Sequence, residues 1–239
     1  MTEPASGEQT PDVDEGFDLD PIEIRVLAVL IEKAFVTPDN YPLSVNAILT
    51  GCNQLTGREP VMALSEPEIR DGLGRLLGRK LISQRDQASA RVPKFEHLVR
   101  LRHSLPPAEQ AVLAVLMLRG PQTAGEIRQR TERMHTFADI EAVDAVLEHL
   151  QEKFPPMATA LPRAPGTKET RFAHLMGGRQ MLEWPNGATA QVFSAHDPES
   201  FRGPQFDAVW ADELAKWKRG QEAWDMIQFG LRLGDDPRS

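Results

Sequence analysis

The most conspicuous chemistry in the chain is cationic. Arg70, Arg75, Arg79, Lys80, Arg85, Arg91, Lys94, Arg100 and Arg102 fall within residues 70–102, against only three acids, Asp71, Asp86 and Glu96. A surplus of that size on one segment suits neutralisation of the phosphates of a nucleic-acid duplex. Arg85 and Arg91 flank a loop and suit phosphate contact, while Arg70 and Arg75 on a helix could reach base edges. A solvated helix face is the plainer alternative. A second polar group is Asn53, Gln54, Arg58 and Glu59, beside the single cysteine, Cys52. These four could form a ligand site. Equally, Asn53 could cap a helix end while Arg58 and Glu59 pair to pin the following loop.

Other chemistries find less support. The six histidines (97, 103, 135, 149, 174 and 196) are scattered, and none stands at zinc-ligand spacing with Cys52. No metal or cofactor is therefore expected. Cys52 lacks a His–Asp constellation and reads as a small buried apolar residue rather than a nucleophile. One cysteine also excludes an internal disulfide framework and fits a reducing cytoplasm. No apolar run approaches the ~18 residues of a membrane span, and the acidic N-terminus does not resemble a secretory signal.

The net charge of −8 is unevenly distributed. Residues 1–24 contain eight acids and no Lys or Arg, so the remaining 27 acids balance all 27 bases. Residues 1–17, with little to bury, are expected to be a disordered acidic leader. All four tryptophans (Trp184, Trp210, Trp217 and Trp224) lie in the last quarter of the chain. That shift marks residues 179–239 as a segment of different character.

The elements that would position these residues come from an internal repeat. Leu19, Pro21, Glu23 and Val26 to Leu30 recur as Leu105, Pro107, Glu109 and Val112 to Leu116, always 86 residues apart. Both copies open a helix with proline near its start and acid in its first turn. In the first copy the pattern predicts helices over about 20–35 and 43–54. A third follows Ser65, whose spacing to Glu68 makes a capping box, and strands are expected at 81–85 and 91–98. Ser44 or Asn46 is expected near the cap of the second helix.

The second copy predicts helices over 107–119, from Thr123 to about Met134, and from Asp139 to about Lys153. Strands follow at 157–162 and 170–175. Three helices and a two-stranded wing, twice over, describe tandem winged helices, with residues 18–103 and 104–178 as the two domains. The expected class is α+β, mainly helical with small β wings. In such a domain the third helix enters the major groove.

These residues also resemble a known family. Glu23, Arg25, Glu32, Lys33, Thr37 to Asn46, Cys52 to Met62 and Leu64 to Glu66 are similar to the YceH-like family of bacterial proteins. So are Leu118 to Thr123, Glu126, Arg128 and Pro165 to Arg171 in the second copy. The resemblance covers residues 18–178 and implies two winged-helix domains, without an established activity.

Residues 179–239 resemble a different family, the terminase large-subunit ATPases of phage-type and gene-transfer-agent packaging motors. Leu182 to Gly187, Val192 to Ala195, Arg202 to Gln205 and Phe206 to Glu213 provide the resemblance. It implies an apolar strand over 206–211, with Asp212 on the Mg²⁺ shell and Glu213 orienting the attacking water. Phosphoryl transfer also needs a phosphate-cradling loop, and no G-x-x-x-x-G-K-[ST] occurs in the chain. The sequence also ends before that family's coupling motif and nuclease domain. The expectation is a non-enzymatic, incomplete α/β ATPase fragment in which Asp212 and Glu213 are relics, keeping a hairpin and a helix around Trp224–Leu233.

Together these readings anticipate a cytoplasmic, DNA-associated regulatory or accessory protein whose first domain meets double-stranded DNA. The rival is a protein-interaction scaffold. It is favoured by the acidic third helix of the second copy (Asp139, Glu141, Asp144, Glu148 and Glu152), which phosphate would repel. That helix suits a protein partner or self-association. A packaging-motor remnant is the third reading, and no membrane role is expected.

Overall fold

The computed structural model describes residues 17–85, 92–161, 169–177, 181–183, 189–191 and 224–225. The protein is a mainly helical α+β molecule with small antiparallel sheets. The chain divides into two units, residues 1–178 and 179–239.

The first unit begins at Asp20. Its carboxylate accepts the backbone N–H groups of Ile22 and Glu23, and the Glu23 carboxylate returns to the Asp20 N–H. This reciprocal cap starts α1 (Pro21–Val36). There follow β1 (Leu43–Ser44), α2 (Val45–Cys52), α3 (Glu66–Gly78), β2 (Ile82–Arg85) and β3 (Lys94–His97). A short bridging helix, α4 (Val99–His103), ends at Ser104 in the left-handed region (φ 51°). The order then repeats as α5 (Pro107–Arg119), β4 (Gln122–Thr123), α6 (Ala124–Thr131), α7 (Ile140–Glu152), β5 (Ala158–Ala160) and β6 (Arg171–His174).

The two halves match closely. Helices α2 and α6 each have 8 residues, and α3 and α7 each have 13. Each sheet puts its last strand in the centre, in the orders β1-β3-β2 and β4-β6-β5. Strands β1 and β4 were not expected, because two residues are too few to show an alternating pattern. Residues 43–44 therefore belong to β1, and α2 starts where Ser44 Oγ accepts the Ala47 N–H. Helix α6 stops at Thr131, short of the expected Met134. The Thr131 hydroxyl turns back to the carbonyls of Ile127 and Arg128 there.

One core serves both halves. Val26 to Ile31 and Val112 to Leu118 are buried over consecutive positions, so neither α1 nor α5 has a solvent face along these stretches. Such helices must be covered on all sides. Helices α2 and α3 pack on one side of α1, α6 and α7 on one side of α5, and α1 meets α5 between them. Two backbone hydrogen bonds close the seam, from Leu19 N to Met176 O (2.9 Å) and from Glu59 N to Leu118 O (2.7 Å).

In the second unit, β7 (Met181–Glu183) pairs antiparallel with β8 (Thr189–Gln191), and Met181 stands opposite Gln191. Residues 224–225 are helical and Trp224 is half-buried. The expected strand at 206–211, Asp212 and Glu213, and the other three tryptophans lie outside the described residues. No helix among the described residues is long and apolar enough to cross a membrane.

Both central strands end in a histidine, His97 in β3 and His174 in β6. Burial lowers each to about 4, against the nearby Glu96 in the case of His97. The unfolded chain binds these protons near pH 6.5, so between 6.5 and 4 it takes up more protons than the folded state. Stability is then full above pH 6.5 and falls as pH drops toward 4. The depressed carboxyls of Asp20, Glu32 and Glu126 add their losses only below about pH 4.5. Melting followed by circular dichroism should show Tm dropping by roughly 10 °C between pH 7 and 4.5. The slope should be shallower in His97→Gln and in His174→Gln. A flat profile in the unsubstituted protein contradicts this assignment.

Candidate nucleic-acid interface

Seven cations were expected to face DNA, and the structure divides them. Arg75 and Arg79, one turn apart at the end of α3, close on the start of α1. Arg75 Nη2 lies 2.6 Å from Asp20 Oδ2, and Arg79 Nε lies 3.3 Å from the buried Glu23 Oε1. Arg79 also donates to the carbonyls of Phe17 and Asp18. Burial tends to raise the Asp20 pKa, but the N–H groups of Glu23 and Ile22 and the Arg75 guanidinium outweigh it and hold the carboxyl low. These two arginines brace α3 against α1, and their charge is answered within the domain.

The second half repeats the clasp with other residues. Glu109, equivalent to Glu23, is buried, with Lys153 Nζ at 3.0 Å and His149 Nδ1 at 3.7 Å. Positions 149 and 153 of α7 correspond to 75 and 79 of α3. Sequence reading missed the clasp because its partners are distant in the chain. A buried-acid register common to both repeats, with Arg, Lys or His side chains one turn apart on each third helix, is the signal that could have found it.

The other cations remain at the surface. Among the described residues Arg70 pairs only with Glu66 one turn earlier, both being more than half exposed. Lys80 is exposed in the left-handed region just after α3 (φ 57°). Arg85 and Lys94 stand directly opposite each other at the end of the β2–β3 ribbon where the chain passes from one strand to the next. Arg85 contacts Glu96 Oε1 at 2.7 Å while its side chain stays 61% exposed. The Glu96 carboxylate is only 19% exposed and also accepts from the Ser83 hydroxyl, so it is the arginine side of this pair that faces solvent. Arg91 lies outside the described residues. The outer side of α3 is also bare: a Cβ added at Gly74 or Gly78 would meet nothing within 4 Å among the described residues.

The Asn53, Gln54, Arg58 and Glu59 group is a structural tie. Asn53 ends α2, its N–H donating to Leu49 O. Its amide clamps Leu64 in both directions, each bond 2.8 Å. Arg58 is buried and pairs with Glu32 in α1 at 2.7 Å, rather than with Glu59. Its remaining donors reach Gly51 O, Gly57 O and Gln54 Oε1. Burial works against Glu32, but Arg58 and then Lys33 keep its carboxyl below the ordinary range. Arg25 joins the same tie, donating to Cys52 O and Pro60 O. Glu59 is exposed and contributes its backbone N–H to Leu118 O. Burial pushes the Cys52 thiol up to about 12, which keeps it protonated.

On α7 the exposed acids Glu141, Asp144 and Glu148 form a row. Burial and then Glu141 raise the Asp144 carboxyl. Beside the start of α7 opens a shallow cleft of about 310 Å³, lined by residues including Arg128, Glu132, Phe137 and the half-exposed Ile140. Arg128 is held there by the carbonyls of Phe137 and Ala138.

Residues 19–167 match a family model described as a protein of unknown function, DUF480. Residues 124–239 match the N-terminal model of the T4likevirus-type terminase large subunit, which overlaps the first match over 124–167. A UPF0502 protein of Aromatoleum aromaticum is 77% identical over 184 residues, covering 77% of this chain and 81% of its own. One from Azoarcus sp. is 72% identical over 170 residues, 71% of this chain and 75% of its own. One from Herminiimonas arsenicoxydans is 53% identical over 176 residues, 74% of each chain.

Removing one partner of a buried ion pair is strongly destabilising, whereas an exposed carboxylate contributes little. Arg58→Gln should therefore lower the urea midpoint by the equivalent of ~3 kcal/mol with m unchanged. Glu59→Gln should leave the midpoint in place. Equal losses in the two variants contradict the Arg58–Glu32 pairing as the tie.

Proposed function

The chain belongs to the DUF480 family of proteins of unknown function, and we propose that it is a DNA-associated regulatory or accessory protein built from two winged helices. The observation behind this reading is the first repeat's combination of order and surface. Helix, strand, two helices and a two-stranded ribbon, with the last strand central, is the arrangement of a winged helix. Around its third helix and ribbon Arg70, Lys80 and Arg85 are exposed and Lys94 is half-buried. In this reading α3 approaches the major groove along its bare Gly74 side, and Arg85, Lys94 and Arg91 hold phosphates through the wing.

A scaffold that holds a protein partner is the second reading, favoured by the row of Glu141, Asp144 and Glu148 on α7. The two combine if the first repeat meets DNA and the second a protein or another copy. Residues 179–239 are, in this reading, a terminase-derived tail that plays no catalytic part, with Asp212 and Glu213 as relics of a Walker B strand.

Fluorescence anisotropy of a labelled duplex, titrated with the full chain at three salt concentrations, tests the DNA reading. The expected log K falls with log salt at about −0.9 per phosphate neutralised. Replacing Arg85 and Lys94 together by Ala should weaken binding at every sequence tried and flatten the slope by about two. Absence of binding at low salt overturns the DNA reading and leaves the scaffold.

A further inference from the structure

The two repeats treat the last turn of their first helices differently. Lys33 in α1 corresponds to Arg119 in α5, and Glu32 to Leu118, at the 86-residue offset. Glu32 answers both Lys33, at 3.2 Å, and Arg58, at 2.7 Å. Its counterpart Leu118 is buried and apolar, so the second repeat lacks that acid. Among the described residues the Arg119 guanidinium has no hydrogen-bond acceptor and no ion pair.

Its surroundings sharpen the mismatch. Burial comes first, then Arg130 and Arg58, in disfavouring the Arg119 charge, against only the pull of Glu32. The fork lies against the loop between α2 and α3: a Cβ on Gly57 would come within 2.9 Å of Arg119 Nη2. Gly57 also has φ +73°, so a side chain there is doubly disfavoured. The end of α5 gives little compensation, because the carbonyls of Leu116, Leu118 and Arg119 already accept from Gly120, Glu59 and Gln122.

A second cation with spare donors stands nearby. Arg130 is 30% exposed and reaches Glu126 Oε1 only at 3.5 Å, while Arg171 takes the other oxygen at 3.0 Å. Arg130 and Arg171 thus share the Glu126 carboxylate, which leaves Arg119 without an acid of its own. A planar guanidinium that is partly desolvated, beside like charge and without an acceptor, is suited to a bidentate oxyanion.

We propose that Arg119 and Arg130 form a phosphate-binding site at the seam between the two repeats, with the Gly57 backbone as its floor. The ligand is a phosphate group, carried either by a small molecule or by a nucleic-acid backbone. The site uses none of the α3 and wing residues of the DNA reading and stands independently of it.

Thermal melting of the full chain in sodium phosphate and in sodium chloride of equal ionic strength tests the site. Phosphate at roughly ten to twenty times its Kd should raise Tm by about 5 °C beyond the chloride value. Arg119→Gln should abolish this increment while leaving the chloride Tm at or above that of the unsubstituted protein. Arg130→Gln should reduce the increment, and it carries the same test should Arg119→Gln fold poorly. The Arg85→Ala, Lys94→Ala double variant should keep the increment, which separates this site's failure from that of the wing.

If orthophosphate gives no increment, but Arg119→Gln weakens oligonucleotide binding about tenfold at fixed salt, the phosphate belongs to nucleic acid. An equal phosphate increment in all four proteins is a bulk salt effect and overturns the site. So does an Arg119→Gln variant that matches the unsubstituted protein in both measurements.

Discussion

A helix that turns Val, Leu, Ala and Ile to every side is stable in water only where neighbours cover its whole circumference. Helices α1 and α5 both have this character, and each repeat covers only part of its own first helix. The remainder is buried where α1 and α5 meet. From that packing follow the single continuous core, the position of α4 as a bridge, and the two backbone bonds that close the seam. It also fixes where polar groups are tolerable, since anything charged on α1 or α5 must lie at a helix end or be satisfied inside.

The buried charges obey that rule. Glu23 and Glu109 sit in the first turns of α1 and α5, where the helix dipole favours an acid, and each is clasped by two basic side chains from its third helix. Arg25, deeper in α1, donates its two Nη groups to the carbonyls of Cys52 and Pro60, while its Nε has no acceptor among the described residues. Arg58 enters from the loop and finds Glu32 near the other end of α1. An unpaired charge in any of these places carries a penalty of several kcal/mol. These contacts therefore position α3 and the 53–64 loop as firmly as the apolar core does, and they leave only the unclasped cations available to a partner.

Much of this was legible in the sequence. The 86-residue repeat predicted both first helices, and the Ser65 and Thr123 capping boxes located the starts of α3 and α6. The expected strands fall around β2, β3, β5 and β6. What escaped was non-local. Two-residue strands have no periodicity to read, and α4 consists of five residues between stronger signals. Arg75 and Arg79 looked like surface cations because Glu23 lies some fifty positions earlier. Arg58 looked paired with its neighbour Glu59 because Glu32 becomes adjacent only after α2 folds back along α1. Neighbours in sequence misled wherever the tertiary partner was an acid on a first helix.

The divergence of the repeats then becomes an argument about division of labour. Their backbones agree in element order, helix length and strand order, so a common surface chemistry would be the simplest result of duplication. The surfaces instead disagree at matched positions. Arg70 on α3 corresponds to Asp144 on α7, and the bare Gly74 to Glu148, so α7 is acidic along the side that α3 keeps basic or bare. At the end of the first helices the imbalance reverses, because Leu118 replaces the acid that neutralises Lys33 and Arg58 in the first repeat. The side chains that clasp the buried acids Glu23 and Glu109 have kept their roles even where residue type changed, as His149 and Lys153 do for Arg75 and Arg79. Charge has been free to change only where the α1–α5 packing and the two clasps do not depend on it. Those positions are therefore where the two repeats can have acquired different partners.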